Sequence, residues 1–232
     1  MESKFSYKIS QQERSNMIKL FIKNDLVSID QHPDWVGLIS SKTICYYQLF
    51  KNNKLVAYAI ILERFRFAHL SFGPVAQSID VITEALKDIH ENYKRKNFGM
   101  LSIQLGVYNP NESKKIKTEL SKSVSFIQKN NSENWSTMKL NLEEEEETIL
   151  SNFSSNHKRS IKKAIKTGFY VKEIFEEEEI DKLSNIYVEL YRHRKIITNL
   201  NDPKEAFAGI LNLFKRQNAG FVIGVYNENN EM

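Results

Sequence analysis

Apolar residues recur along this chain in two rhythms, one helical and one extended, and the two alternate. Met17, Leu20 and Phe21 mark an N-terminal helix. After the His32-Pro33 break come two strand-like runs, Ile44–Phe50 and Leu55–Leu62, joined by Lys51-Asn52-Asn53-Lys54, which predicts a hairpin. Phe67–Phe72 predicts a third strand, stopped by Gly73-Pro74. Ile79, Ile82, Leu86, Ile89 and Tyr93 lie at helical spacing, and Phe98–Leu105 reads as the next strand. Asn109-Pro110 opens a loop before a short helix, Glu112–Leu120, and two further strands are expected at Val124–Gln128 and Thr137–Leu142.

A second unit starts in the acidic run. A helix is expected from about Glu144 to Asn152, with glutamates in its first turn, where they suit the helix dipole. A basic helix follows, with Ser154 or Ser155 as N-cap and Gly168 at the position of a C-terminal glycine. Then come a strand at Phe169–Phe175, a helix carrying Ile180, Leu183, Tyr187, Leu190 and Tyr191, and a helix carrying Phe207, Ile210, Leu211 and Phe214. Phe221–Tyr226 is the last strand. The expected fold class is α/β (α+β), with domains at 1–142 and 143–232 and an internal duplication. Phe221–Tyr226 runs into Asn227-Glu228-Asn229-Asn230, a hairpin turn with no return strand, so the second domain is expected to stop after its second strand.

The basic helix carries the strongest chemical signal. At about 100° per residue, Lys158, Arg159, Lys162, Lys163 and Lys166 share an arc of about 140°, while Ile161, Ala164 and Ile165 face the other way. Lys158/Lys162, Arg159/Lys163 and Lys162/Lys166 are like charges four residues apart, each costing roughly 0.2–0.5 kcal/mol in an isolated helix. An anionic partner would relieve that repulsion. The partner could be a phosphate-rich ligand, or the chain's own Glu143–Glu147 and Glu176–Glu179, and the charge pattern leaves both readings open.

Composition narrows the class without naming an activity. The chain has 232 residues, 41% hydrophobic and 27% charged, with a net charge of +4, which permits phosphate or nucleic-acid binding and does not require it. The single Cys45 excludes an intramolecular disulfide and a cysteine-rich zinc site, and it fits a reducing cytosol. No apolar run approaches the roughly 20 residues of a membrane span, and the first residues lack a signal-peptide core. His90-Glu91 is followed by Lys94 where a zinc metalloprotease helix needs a second His, so no metal is expected. Gln217-Asn218-Ala219-Gly220 falls short of an acyl-CoA pyrophosphate loop, because a strand follows it and such a loop opens a helix. Trp35 reads as a packing anchor.

The run Asn156–Val171, NHKRSIKKAIKTGFYV, resembles the R-x-x-I-[RK]-[KR]-A-x-[KR]-x-G-[VF]-x-V signature of the Fem-type peptidyltransferases. Phe67–Val75, His32-Pro33-Asp34-Trp35 and Tyr191-Arg192-His193-Arg194 resemble other segments of that family more weakly. The resemblance implies tandem GNAT-like acyltransferase domains, here with the second incomplete. It implies a cytoplasmic enzyme that moves an amino acid from aminoacyl-tRNA to the peptide of a nucleotide- or lipid-linked peptidoglycan precursor, with no resident cofactor. Lys158, Arg159, Lys162, Lys163 and Arg194 are the implied substrate-binding residues, and contact with a membrane surface stays open. Two departures concern the precursor: the Arg of an Arg-Pro-aromatic segment is absent at Asp202-Pro203-Lys204, and no Lys closely follows Trp35. The reaction centre is expected beyond Met232, so no catalytic residue is assigned. The alternatives are a GNAT-type N-acetyltransferase that takes acyl-CoA and acts on a polysaccharide or other envelope precursor, and a non-catalytic tRNA- or phosphate-binding module.

Overall fold

The hairpin expected around Asn52-Asn53 is the spine of the first of two units. The structure, a computed structural model, describes residues 1–24, 28–39, 43–106, 109–124, 141, 143–174, 176–194, 202–217, 220–229 and 231. One unit is essentially Met1–Phe126 and the other is Ile127–Ile196 with Pro203–Met232. The strands expected at Val124–Gln128 and Thr137–Leu142 lie almost wholly outside the described residues.

In the first unit, β1 (Glu2–Ser6), α1 (Gln11–Ile22), a single 3-10 turn (Ile29–Gln31) and the short α2 (Val36–Ile39) precede the hairpin strands β2 (Thr43–Lys51) and β3 (Lys54–Arg64). Asn52 and Asn53 both adopt left-handed backbone, with φ of 51° and 59°, the conformation a two-residue hairpin turn of matching twist requires. β4 (Phe67–Leu70), β5 (Val75–Ala76), α3 (Ile79–Arg95), β6 (Met100–Ile103) and α4 (Pro110–Ser121) complete the unit. The sheet runs β1-β2-β3-β4-β6, with β5 also on β3. All pairs are antiparallel except β4–β6, whose parallel pairing needs the α3 crossover.

Both faces of this sheet are covered. Met17, Leu20, Val36, Tyr58, Ile60 and Val75 fill one side. Cys45, Tyr47, Ala57, Ile61, Leu86, Ile89 and Tyr93 belong to the core on the other. That is why β3 reads as an almost unbroken apolar run instead of an alternation. Between β4 and β5 the edge of β3 would be bare at Ile60, and the buried Gln31 amide fills the gap. Its Oε1 accepts from Ile60 N at 2.8 Å, while its Nε2 donates to Ile60 O at 3.2 Å and Ser71 O at 2.6 Å.

The second unit is simpler. It contains α5 (Glu146–Asn152), α6 (Ser155–Lys166), β7 (Tyr170–Glu173), α7 (Glu177–His193), α8 (Pro203–Gln217) and β8 (Ile223–Tyr226). β7 and β8 form an antiparallel ladder with Tyr170 opposite Tyr226 and Val171 opposite Val225. Ile174, Ile180 and Leu211 form its core, with Leu183, Phe207 and Val222 around them.

Candidate functional site

The basic helix expected from the charge pattern is α6, and its ends form by recognisable local chemistry. Ser154 is the N-cap, its Oγ accepting from His157 N at 3.4 Å. At the other end Gly168 takes φ +77°, Phe169 N donates to Ala164 O at 3.0 Å and Gly168 N donates to Ile165 O at 3.1 Å. This pair of reversed bonds stops the helix and turns the chain into β7. The positive φ favours a glycine there, and a Cβ would lie 3.1 Å from Glu228 Cβ.

The structure brings Lys158, Arg159, Lys162 and Lys163 together on this one helix, together with Lys166. Lys158 is half-buried and the other four are exposed. Lys158 Nζ donates to Ser151 O at 2.7 Å, and Arg159 donates to Asn156 Oδ1 at 3.3 Å. Among the described residues, none of the five forms an ion pair with a carboxylate. Glu144–Glu147 are exposed at the start of α5, and Glu179 is taken by Lys172. Self-neutralisation by the flanking glutamates therefore lacks its contacts among the described side chains.

Arg194 is placed differently. It is the exposed C-cap of α7, its N–H donating to Leu190 O at 3.0 Å. Its described neighbourhood is the pair Tyr187–Tyr191, whose ring centroids lie 4.3 Å apart. The Tyr191 hydroxyl is raised in pKa, first by its hydrogen bond with Tyr187, and Arg194 works against that rise. No described contact joins Arg194 to α6.

A second polar cluster, which the sequence pattern did not reveal, sits in the first unit. Glu63 on β3 is buried and accepts from the hydroxyls of Tyr93 at 2.6 Å and Tyr7 at 3.0 Å. Lys96 Nζ stands 5.5 Å from the ring centroids of Phe5, Tyr7 and Tyr93. Burial pushes the Cys45 thiol up to about 11, so it stays protonated and is no nucleophile at neutral pH. Burial and Glu63 raise Tyr7 to about 12. Every member holds another, and the cluster ties β1 to α3. His90 faces Glu91 at 3.3 Å, and among the described residues no three metal-ligating side chains come together. Trp35 is half-buried before α2, its backbone N–H donating to His32 O at 3.1 Å. Of the acyl-CoA loop candidate, Asn218 and Ala219 lie outside the described residues, and Gly220 precedes β8. No described helix is long and apolar enough to cross a membrane.

The chain has a FemX-like α/β fold. It superposes on the crystal structure of FemX with a TM-score of 0.66 at 14% identity, over 97% of this chain and 57% of that one. It thus spans little more than half of the FemX chain it matches. The ribosomal-protein-S18-alanine N-acetyltransferase from Escherichia coli matches at a TM-score of 0.41 and 12% identity, over 51% of this chain and 76% of that one. An aminoglycoside acetyltransferase from an uncultured soil metagenomic sample matches at 0.38 and 14%, over 59% and 97%. Scores this low add nothing to the assignment. No family model matches the chain, and no curated protein sequence matches it.

Proposed function

We propose that this chain is part of an acyl- or aminoacyl-transferase, and that α6 holds the phosphate-rich part of a substrate. The finer reading is transfer of an amino acid from aminoacyl-tRNA to the peptide of a peptidoglycan precursor in the cytoplasm. The observation that carries the proposal is the cationic face of α6, with no carboxylate partner among the described residues, in a FemX-like fold. In the reaction, an amine of the acceptor attacks the ester carbonyl of the charged tRNA. A C–N bond forms, the C–O bond to the ribose breaks, and the ribose hydroxyl leaves with the proton the amine gives up. Such chemistry depends on holding two substrates in line more than on a strong protein nucleophile. Lys158, Arg159, Lys162, Lys163 and Lys166 would supply position through phosphate contacts, with no reading of base sequence. Arg194, beside the Tyr187–Tyr191 pair, is a separate candidate contact for the precursor.

The test is equilibrium binding of uncharged tRNA, and separately of a nucleotide-linked precursor, between 50 and 200 mM salt. Lys158→Ala/Arg159→Ala/Lys162→Ala weakens binding of at least one of them roughly tenfold or more at the low-salt end and reduces the salt slope by about two, since each phosphate contact contributes roughly 0.7–0.9. Unchanged affinity for both with a lowered melting temperature would mean that α6 is structural.

A further inference from the structure

The hairpin that joins β3 to β4 turns through two residues, Phe65 and Arg66, between the paired Arg64 and Phe67. Phe65 adopts a φ of 53°, the left-handed region that favours glycine in such a turn. A bulky residue held there costs backbone energy, and this one returns no packing to the fold. Phe65 is 91% exposed, more than any other large apolar residue among those described. The turn is nevertheless braced. Asn97, after α3, is left-handed as well, and the Arg66 guanidinium joins the two bends: Nε and Nη2 donate to Asn97 O at 3.1 and 2.9 Å, and Nη2 to Asn97 Oδ1 at 3.1 Å. Gly99 N and Met100 N both donate to Arg66 O, at 2.8 and 3.2 Å.

The two segments tied in this way are both cationic. Arg64 and Arg66 flank the exposed ring, and Lys94, Arg95 and Lys96 close the last turn of α3; all five are exposed. Residues 64–67 and 92–100 contain no carboxylate. Among the described residues, none of the five cations forms an ion pair. The carboxylates just outside these segments are engaged elsewhere. Glu63 is buried under the hydroxyls of Tyr93 and Tyr7, and Glu91 faces His90. Met100, opposite Phe67 in the β4–β6 pairing, adds a second exposed apolar side chain beside the turn.

We propose that the β3–β4 turn docks the first unit on the anionic surface of a lipid bilayer. Phe65 enters the zone between headgroups and acyl chains, and Arg64, Lys94 and Arg95 meet the lipid phosphates. An aromatic ring is favoured at that depth, and cations close to an anionic leaflet are drawn to it. A projecting ring with a thioether beside it suits a surface that parts around it. A single-stranded nucleic acid takes a groove with successive aromatic platforms, and this turn presents a single ring. The inference rests on the first unit alone, so it is independent of the reading of α6.

Vesicle flotation tests it, with phosphatidylcholine alone and with phosphatidylcholine mixed with phosphatidylglycerol, at low and at physiological salt. The chain should bind the mixed vesicles only, and less as salt rises. Phe65→Gly suits the backbone and removes the ring, so it should melt no lower than the parent yet bind the mixed vesicles roughly tenfold more weakly. Arg64→Gln/Lys94→Gln/Arg95→Gln should weaken binding roughly fivefold for each charge removed and flatten the salt dependence. The α6 variant Lys158→Ala/Arg159→Ala/Lys162→Ala should keep the dependence on Phe65. Cys45 is buried, so an environment-sensitive dye on Phe65→Cys reports the turn alone, and its emission should shift to the blue on mixed vesicles. No binding by the parent, equal binding by Phe65→Gly, or an unshifted dye overturns the proposal. So does a Phe65→Gly chain that keeps its vesicle binding and loses affinity for uncharged tRNA, which would make RNA the partner. If Phe65→Gly lowers the melting temperature, Phe65→Asn, which also tolerates the left-handed region, gives the same reading.

Discussion

Each of the two units contains a strand–helix–helix–strand segment, and the two segments end in different states of burial. The β2–β3 hairpin lies between two helical layers, and its Ala57, Ala59 and Ile61 on one face and Tyr58 and Ile60 on the other are all closed to solvent. Among the described residues, the β7–β8 ladder has a helical layer on one face only, and its buried core is the small cluster of Ile174, Ile180 and Leu211. Strand pattern is therefore not what separates a core face from an open one. What separates them is the arrival of an amphipathic helix, which in the first unit is α3. The basic helix α6 stands ahead of β7 in the second unit, outside the strand–helix–helix–strand segment β7-α7-α8-β8. The candidate site thus lies outside the segment whose element order resembles that of β1-α1-α2-β2.

The largest effect should separate the two faces directly. Ile89→Ala removes a fully buried side chain from the closed face and should cost about 3 kcal/mol, from the lost transfer energy and the cavity left behind. Val225→Ala on the open face should cost no more than about 0.5 kcal/mol. Urea denaturation followed by a probe in each unit measures both. If Val225→Ala costs as much as Ile89→Ala, the β7–β8 face is not open and the contrast between the units disappears.

Much of that contrast could be read from residue order alone. The continuous run of β3, the asparagine turn, the 3.6-residue period of α3 and the cationic arc of α6 are local properties, and local spacing reveals them. The strand β1 was not readable, because Glu2–Ser6 offers one partly buried apolar residue packed on the core, Phe5, and forms a strand through pairing with β2. Gln31 was silent for the same reason: an amide that completes the edge of β3 leaves no periodic trace. The ties from Lys4 to Glu13 and from Lys172 to Glu179 leave no trace in the pattern either, since each joins a strand to the helix after it and periodicity reports only on residues within one element. At the candidate site, spacing placed the cations on one face, but whether a carboxylate reached them depended on where Glu143–Glu147 and Glu176–Glu179 were carried. Arg194 likewise could not be assigned to the Tyr187–Tyr191 pair from a list of charges.

Those ties give the next contrast, smaller than the first. Glu179 is 8% exposed at its side chain and holds Lys172 and the Tyr226 hydroxyl, so Glu179→Ala should cost about 2 kcal/mol by leaving both without their acceptor. Glu13 is more open, and Glu13→Gln should cost about 1 kcal/mol at neutral pH. Its pH dependence carries more information. The bond from Lys4, followed by that from Ser10 N–H, lowers the Glu13 carboxyl from the usual 4.5 to about 2. The unfolded chain takes up this proton first as pH falls. The stabilisation is therefore complete above the usual value and is lost as pH drops through the window from about 4.5 to 2. Acid titration of folding should be shallower for Glu13→Gln than for the parent across that window. Identical slopes would show that the tie contributes nothing to the first unit. Lys172 has the opposite sign: its bond to Glu179 raises its pKa, so its contribution is present below the ordinary lysine value and fades as pH rises through the raised one.

The smallest effect concerns the joint between the basic helix and β7. Gly168 combines two constraints, a left-handed φ of +77° and a neighbour, Glu228 Cβ, 3.1 Å from where its own Cβ would be. Gly168→Ala meets both and should destabilise the second unit by about 1 kcal/mol. Gly168→Asn brings the same Cβ to the same neighbour, yet asparagine tolerates the left-handed region better than alanine does. A difference between the two variants therefore isolates the backbone term, and what they share measures the crowding against the turn after β8. If both variants melt with the parent, the end of α6 is not held by this turn, and the cationic helix is free to pivot on β7. If Asn recovers most of the loss, the positive φ at the helix end is what fixes the direction in which Lys158, Arg159, Lys162 and Lys163 are presented.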